Sequence, residues 1–404
     1  MKAADLAQRD KWNNRLKAVA LGVGLALTLL TVRHWYETFS FGHPLCEDCR
    51  PDFPGFYAGA KLIWQSPRAL YDYAQQLAIQ RTIDNRIGDS VLPFAYPPFT
   101  ALVLMPLGWL SFRAAFVAMT LVNVLLLATT LRLLIQKLEL GKEQSTWLWL
   151  SAFCNFGVHT TLLQGQTSLI VLALLTAFMF ALRGGRDRWA GFWAGVVFFK
   201  PQILAMPLIA LFFQRQWRAL FIAVIVVVGL GGFSVALVGT EGIGEYLSLL
   251  RFYGTTESGF GSYPRDMHNL RALVQYFAPF TYATYFWLAL VVPLALATMW
   301  LNAQAYENDF PRTFLWIGNF LAAMLLTPHL YPHDLAFLLV PNALVLHLCG
   351  KQVPAPLVLC LIILGVLPIL PAAFGYFLPP VLPLFFLVGF YYCLRSVHRA
   401  NSPA

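Results

Sequence analysis

The sequence predicts an all-α polytopic membrane protein, on three observations. Of the 404 residues, 58% are hydrophobic and 12% charged, with a mean hydropathy of +0.63. No water-soluble core absorbs that much apolar surface. The apolar residues also fall into runs of about 15–25, the length that crosses a bilayer as a helix. Finally, Lys2, Arg9, Lys11, Arg15 and Lys17 precede the apolar run 18–32, which retains the N-terminus on the cytoplasmic side. Arg33, His34, Trp35 and Tyr36 follow that run in place of a small-residue cleavage site, so it is expected to stay as the first span. The net charge of +9 reads as topology and lipid attraction, with no nucleic-acid partner.

Taken in order, the candidate spans are 17–33, 97–111, 113–136, 147–163, 167–182, 189–213, 218–238, 281–303, 312–328, 334–349, 354–371 and 377–394. They form a single membrane domain over 1–404, with about 12 transmembrane or half-membrane helices and both termini cytoplasmic. Simple alternation leaves R-G-G-R-D-R at 183–188 on the outer side, against the positive-inside rule. In a second arrangement 97–111 dips in without crossing, and 189–213 breaks at Lys200-Pro201 into two half-helices. That version returns R-G-G-R-D-R and the later Q-R-Q-W-R at 214–218 to the cytoplasm, leaves 164–166 and Lys200-Pro201 on the outer side, and is preferred; such breaks occur where the freed backbone lines a polar cavity.

The longest polar interruption, 34–96, is read as an outer loop. Asp52 sits there between Pro51 and Pro54, which predicts an extended, stiff backbone. Phe56, Ala60 and Ile63 at helical spacing, then a Ser66 N-cap with Pro67, predict helices over 55–66 and 67–86. Both are expected to lie on the membrane surface, with Phe56, Tyr57, Trp64 and Tyr246 at headgroup depth. The plainer reading makes Asp52 the cap of a turn in a solvated loop. Cys46 and Cys49 form C-E-D-C just before it, either a disulfide or free thiols, with a zinc half-site as the weaker alternative.

A second outer segment spans 239–280. Ile243, Tyr246, Leu247 and Leu250 predict another surface helix. Asn269 is a predicted N-cap, followed by Leu270, Leu273, Val274 and Phe277 on one face. Arg265, His268 and Arg271 cluster at that N-terminus, a combination suited to an anion. Third, T-P-H-L-Y-P-H-D at 327–334 offers His329, His333 and Asp334, which fit interfacial anchors better than a metal site. Lys200, an ammonium inside an apolar run, marks function because such a group is costly there unless paired.

A rigid carboxylate, several cations, many aromatics and no nucleotide-binding loop suit glycosyl transfer from a lipid-phosphate sugar. The same parts suit a polyprenyl-phosphate carrier or flippase without chemistry. D-F-x-x-F-Y-A-G-A at 52–60, A-L-Y-D at 69–72, F-A-Y-P-P-F at 94–99 with M-P-L at 105–107, and L-x-G-Q at 163–166 open a recurring order of motifs. A-G with K-P at 190–201, M-H-N-L-R-A-L at 267–273 and P-H-L-Y-P-H-D-L at 328–335 complete it. In these the chain resembles the GT-C glycosyltransferases of family 87, whose characterised members are polyprenyl-phosphate-mannose-dependent α-mannosyltransferases.

The resemblance implies a GT-C fold and a metal-independent, cofactor-free inverting transfer of a hexose, mannose first, from a polyprenyl-phosphate donor. The acceptor is a hydroxyl of a glycolipid or glycan on the periplasmic face of a bacterial inner membrane. Asp52 takes the position of the catalytic base. Lys200, Arg265, His268, Arg271, His329 and His333 are expected at the donor phosphate, and Tyr57, Tyr96, Gln166, Asn269 and Tyr331 around the substrates. The donor is expected to enter sideways from the outer leaflet.

Overall fold

The computed structural model describes residues 3–40, 52–83, 91–255, 267–307, 312–350 and 353–366, whose regular elements are all helices. In chain order the helices are α1 (Ala3–Ser40), α2 (Phe53–Gln65), α3 (Tyr73–Ile83), α4 (Pro98–Gly108), α5 (Phe112–Lys137), α6 (Lys142–Phe153) and α7 (Phe156–Gln164). Then come α8 (Ser168–Arg183), α9 (Asp187–Val196), α10 (Pro201–Phe213), α11 (Trp217–Thr255) and α12 (Leu270–Phe277). The last are α13 (Phe280–Glu307), α14 (Arg312–Leu326), α15 (Leu339–Leu348) and α16 (Ala355–Val366).

Four stretches are long and apolar enough to cross a membrane: Lys11–Tyr36, Phe112–Lys137, Trp217–Tyr253 and Tyr282–Gln304. They turn large apolar side chains outward, among them Leu29, Leu125, Phe221, Val228 and Trp300. Hydrocarbon is the solvent that suits such faces. The chain is therefore an integral membrane protein.

Several expected spans are shorter or broken. The run 97–111 becomes the 11-residue α4, about 16 Å long at 1.5 Å per residue and too short to cross. The run 147–163 is two helices, not one: Asn155 accepts a hydrogen bond from Val158 N at 3.0 Å and restarts the chain as α7. The run 334–349 opens as the 3₁₀ segment Pro332–Leu338 before α15. The run 377–394, the end of 354–371, and Cys46, Cys49 and Arg265 lie outside the described residues.

The described residues pack as two compact units, one of 32–127 and 161–264, the other of 1–31, 128–160 and 265–404. In the first, α2 is buried on nearly every side, Phe53, Phe56, Tyr57, Ala60 and Ile63 all belonging to one core with Phe94, Phe116 and Tyr246. This overturns the surface-lying reading. Phe56, Tyr57 and Tyr246 are core, and of the four expected interfacial aromatics only Trp64 is exposed. The physical reason is a second apolar layer: the 91–97 segment and α4 cover the side of α2 that periodicity assigns to water. The start expected at Ser66-Pro67 yields a single 3₁₀ turn, Pro67–Ala69. Helix α3 begins instead after Asp72, whose carboxylate accepts from Gln75 N at 2.9 Å.

Helices α9 and α11 run parallel, Gly191 packing on Ala219 and Ile222, and Gly195 on Ala223 and Val226. A Cβ on Gly191 would lie 2.3 Å from the Ala219 carbonyl oxygen, and one on Gly195 would lie 2.5 Å from Val226 Cβ. Small residues at this four-residue spacing let two backbones approach closely. Helix α10 ends with the Phe212 ring on Trp217, the first residue of α11. Hence α9 and α10 form a hairpin with Lys200 at its tip. The loops at 183–188 and 214–216 both lie at its opposite end, as the broken-helix arrangement requires. Gly239, with φ of 76°, kinks α11 where the span 218–238 was expected to stop. Beyond the kink Tyr246 packs on Tyr71, and Leu247 and Leu250 face outward.

In the second unit, Asn302 and Asn319 exchange side-chain hydrogen bonds of 2.7 and 3.0 Å between α13 and α14. The segments around 268 and 330, far apart in sequence, meet there. His268 N donates to Leu330 O at 2.8 Å, and Asn269 Nδ2 donates to Thr327 O at 2.7 Å. Asn269 caps α12 as expected, its Oδ1 accepting from Ala272 N at 3.0 Å. The buried face of α12 differs from the expected one: Arg271, Ala272 and Val274 are buried and Phe277 is exposed.

Two stability predictions follow from these contacts. Gly195→Leu lacks room for its side chain and is expected to cost about 1–3 kcal/mol, lowering Tm in detergent, whereas Gly231→Leu, with nothing near its Cβ, leaves Tm unchanged. Asn269→Ala removes a cap worth about 0.5–2 kcal/mol and strips the Thr327 carbonyl of its partner. Hydrogen exchange of 267–277 and of 327–331 should rise together in that variant.

Candidate active site

The first unit holds a polar cluster around Asp52. The two prolines do not keep Asp52 extended: its backbone is in the right-handed helical region (φ −73°, ψ −11°), and it is the N-cap of α2. Pro54 fits this place because a first-turn N–H has no intrahelical partner in any case. The carboxylate does not cap its own helix. Its Oδ2 instead accepts a 2.6 Å hydrogen bond from Gln166 Nε2. The turn-cap reading of the side chain is thereby removed.

Gln166 reaches Asp52 because the chain reverses between α7 and α8 at Gly165. That glycine has φ of +64°, and a Cβ there would lie 2.9 Å from Phe53 Cβ, so only glycine serves. Asn123 Nδ2 donates to the Gln166 carbonyl at 2.9 Å. The Gln166 Oε1 accepts from Tyr96 OH at 3.4 Å and from Thr167 N at 3.3 Å. Thr167 Oγ1 donates to Tyr96 OH at 3.2 Å. Tyr96 is itself held by Tyr71, whose hydroxyl donates to its carbonyl at 2.6 Å, and by Phe199 at 6.1 Å between rings.

Burial pushes the Asp52 carboxyl up from 3.8 to about 6, while the Gln166 hydrogen bond and the Lys200 charge pull it back. Asp52 keeps a part-exposed surface, so the group is dehydrated yet reachable. Lys200, at the hairpin tip, is 2% exposed. Of the residues expected around the substrates, Tyr96 and Gln166 are gathered at Asp52. Tyr57 is buried in the core of this unit, and its hydroxyl donates to Leu110 O at 2.9 Å. Thr167 and Asn123 were missed. Asn123 carried a usable signal, an amide in the middle of the apolar run 113–136.

In the second unit His268, Arg271, His329 and His333 lie on the two segments that meet at the His268 N to Leu330 O hydrogen bond. His268 is buried, and its Nδ1 has no hydrogen-bond partner among the described residues. Burial pushes its pKa down to about 4, so it is a neutral imidazole at pH 7, a hydrogen-bonding group and not the expected cation. Burial also lowers the Arg271 pKa, which Tyr331 partly offsets. The Tyr331 and His333 rings stack at 5.9 Å, and His333 Nε2 lies 3.8 Å from Asp334 Oδ2. The His329 carbonyl accepts from Thr327 Oγ1 at 3.1 Å. Asn269 serves the backbone with both ends of its amide. No group of three His, Cys, Asp or Glu side chains that could hold a metal occurs among the described residues.

No curated protein and no solved structure matches the chain. The sequence profile of glycosyltransferase family 87 matches residues 94–328, more than half of it. The matched part contains Tyr96, Gln166, Lys200, His268, Asn269 and Arg271; Asp52 precedes it, and His329, Tyr331 and His333 follow it. With its all-helical, membrane-length architecture and that match, the chain belongs to glycosyltransferase family 87 and is a glycosyl-transferring enzyme.

Proposed function

We propose that the protein is an inverting GT-C hexosyltransferase of 404 residues forming one membrane domain, with Asp52 as general base. It moves a sugar, mannose first, from a polyprenyl phosphate to a hydroxyl of a glycolipid or glycan acceptor. The observation that carries this is a reachable carboxylate, dehydrated, oriented by Gln166 and facing the charge of Lys200. In the step, the acceptor oxygen bonds to the anomeric carbon as its proton passes to Asp52. The bond from that carbon to the phosphate oxygen breaks, and the phosphate leaves with the electron pair. Direct displacement of this kind inverts the anomeric carbon. A lysine in a water-poor site stabilises the charge that builds on the leaving group.

Position supports the reading. Gln166 lies just before α8 and Arg183 ends it, while Lys200 is at the hairpin tip and the arginine loops are at its base. By the positive-inside rule, five arginines, at 183, 186, 188, 215 and 218, favour a cytoplasmic base. The Asp52 cluster then belongs to the periplasmic side of a bacterial inner membrane, with both termini cytoplasmic. In the other unit, Arg271, His329 and His333, with His268 as a neutral donor, are assigned to a phosphate contact, and Tyr331 to a sugar contact. Arg265 belongs to the same proposal.

The test is transfer from a panel of polyprenyl-phosphate sugars by the purified chain. Asp52→Asn is expected to lose about 10²–10⁴-fold in kcat; a rate within tenfold of the parent would refute the base role. A carrier without chemistry would bind the donor and transfer nothing. Because a base must be ionised, kcat/KM of the parent should rise as pH passes about 6. The raised carboxyl favours the protonated native state, so its burial costs stability progressively from pH 3.8 to about 6 and throughout the range above. Asp52→Asn lifts that cost, and its Tm at pH 7.5 should equal or exceed the parent's. Lys200→Met removes the opposing charge, and is expected to move the acidic limb to higher pH and weaken donor binding.

A further inference from the structure

We infer that Thr167, Tyr96 and Gln166 form a one-way chain of hydrogen bonds that turns one oxygen of Asp52 away from reaction and presents the other. The inference rests on the reading of Asp52 as the base. The direction of the chain is fixed by its ends. The Thr167 backbone N–H can only donate, so the Gln166 amide must turn Oε1 toward it. Its Nε2 is thereby committed to Asp52 Oδ2 at 2.6 Å. Tyr96 OH also donates to Oε1 and accepts from Thr167 Oγ1, so each donor polarises the next. A flip of the amide would set N–H against N–H at Thr167 and leave Asp52 Oδ2 without its donor.

The chain has two consequences. Oδ2 is occupied, and Oδ1 accepts no hydrogen bond from the described residues. Oδ1 is therefore the proton acceptor, and Gln166 is a positioning residue. A donor committed to the carboxylate also favours the ionised form, so the chain keeps a dehydrated acid able to act as a base near neutral pH. Lys200 is the charged group that acts on the same carboxylate. Tyr96 acts through Gln166.

The experiment reads Asp52 directly, without sugar transfer. Dicyclohexylcarbodiimide attacks protonated carboxylic acids, and mass spectrometry of the full chain after digestion gives the extent of labelling at Asp52 against pH. Parent protein should lose labelling with a midpoint near 6. Gln166→Leu should move the midpoint up by about one pH unit, and Gln166→Glu further, since it sets a like charge beside the acid. Thr167→Val and Tyr96→Phe should move it the same way by less, with kcat falling at pH 6 and KM for the donor unchanged. These milder variants carry the test if Gln166→Leu does not fold. Midpoints within a few tenths of a unit of the parent in both would overturn the inference. A protein whose midpoints shift as expected but which transfers no sugar supports the chain of hydrogen bonds and refutes the base role.

Discussion

In a hydrocarbon surrounding, each backbone N–H and C=O needs a partner inside the protein, and a helix is the cheapest way to supply them. Every interruption of a helix therefore demands compensation. This protein interrupts its apolar runs at Asn155, Gly165–Thr167, Lys200, Gly239 and Pro332–Leu338. At Asn155 the side chain accepts from the Val158 N–H, in the first turn of the next helix. At Gln166 the side chain takes the N–H of Thr167, and Asn123 covers the Gln166 carbonyl. At Lys200 the backbone closes a 3₁₀ turn onto Val197. Of the polar side chains recruited for that purpose, Gln166 is also one to which function is assigned.

Dehydration links this architecture to chemistry. A carboxylate surrounded by protein resists ionisation, and the opposing pull of Gln166 and Lys200 limits the rise to about 6. A fully solvated aspartate would be ionised but a weaker base, and a buried one without partners would stay protonated. Both opposing groups stand at helix interruptions, one at the start of α8 and one between α9 and α10. The native state tolerates the resulting instability because the surrounding aromatic core, with Phe53, Phe56 and Phe116, is tightly packed.

Close packing also explains the largest departure from expectation. The helical spacing of Phe56, Ala60 and Ile63 was correctly read as a helix, but one apolar face was taken to mean one buried face. In the structure the opposite side of α2 is covered too, with Gly55 and Gly59 beneath Leu92 and Phe94. A sequence pattern reports which face is apolar and carries no information about what small residues on the other face are packed against.

What the sequence by itself determined was local: membrane-length apolar runs, the break at Lys200-Pro201, the Asn269 cap, a boundary near 239, and the grouping of arginines at the ends of α8 and α10. Each follows from hydropathy, proline and glycine chemistry, or side-chain capping over a few residues. The tertiary structure decided which polar side chains meet. Asp52 and Gln166 are 114 positions apart, and Asn269 and Thr327 are 58 apart. No local preference of either residue encodes those distances. They arise because buried polar groups find partners only after the helices have packed.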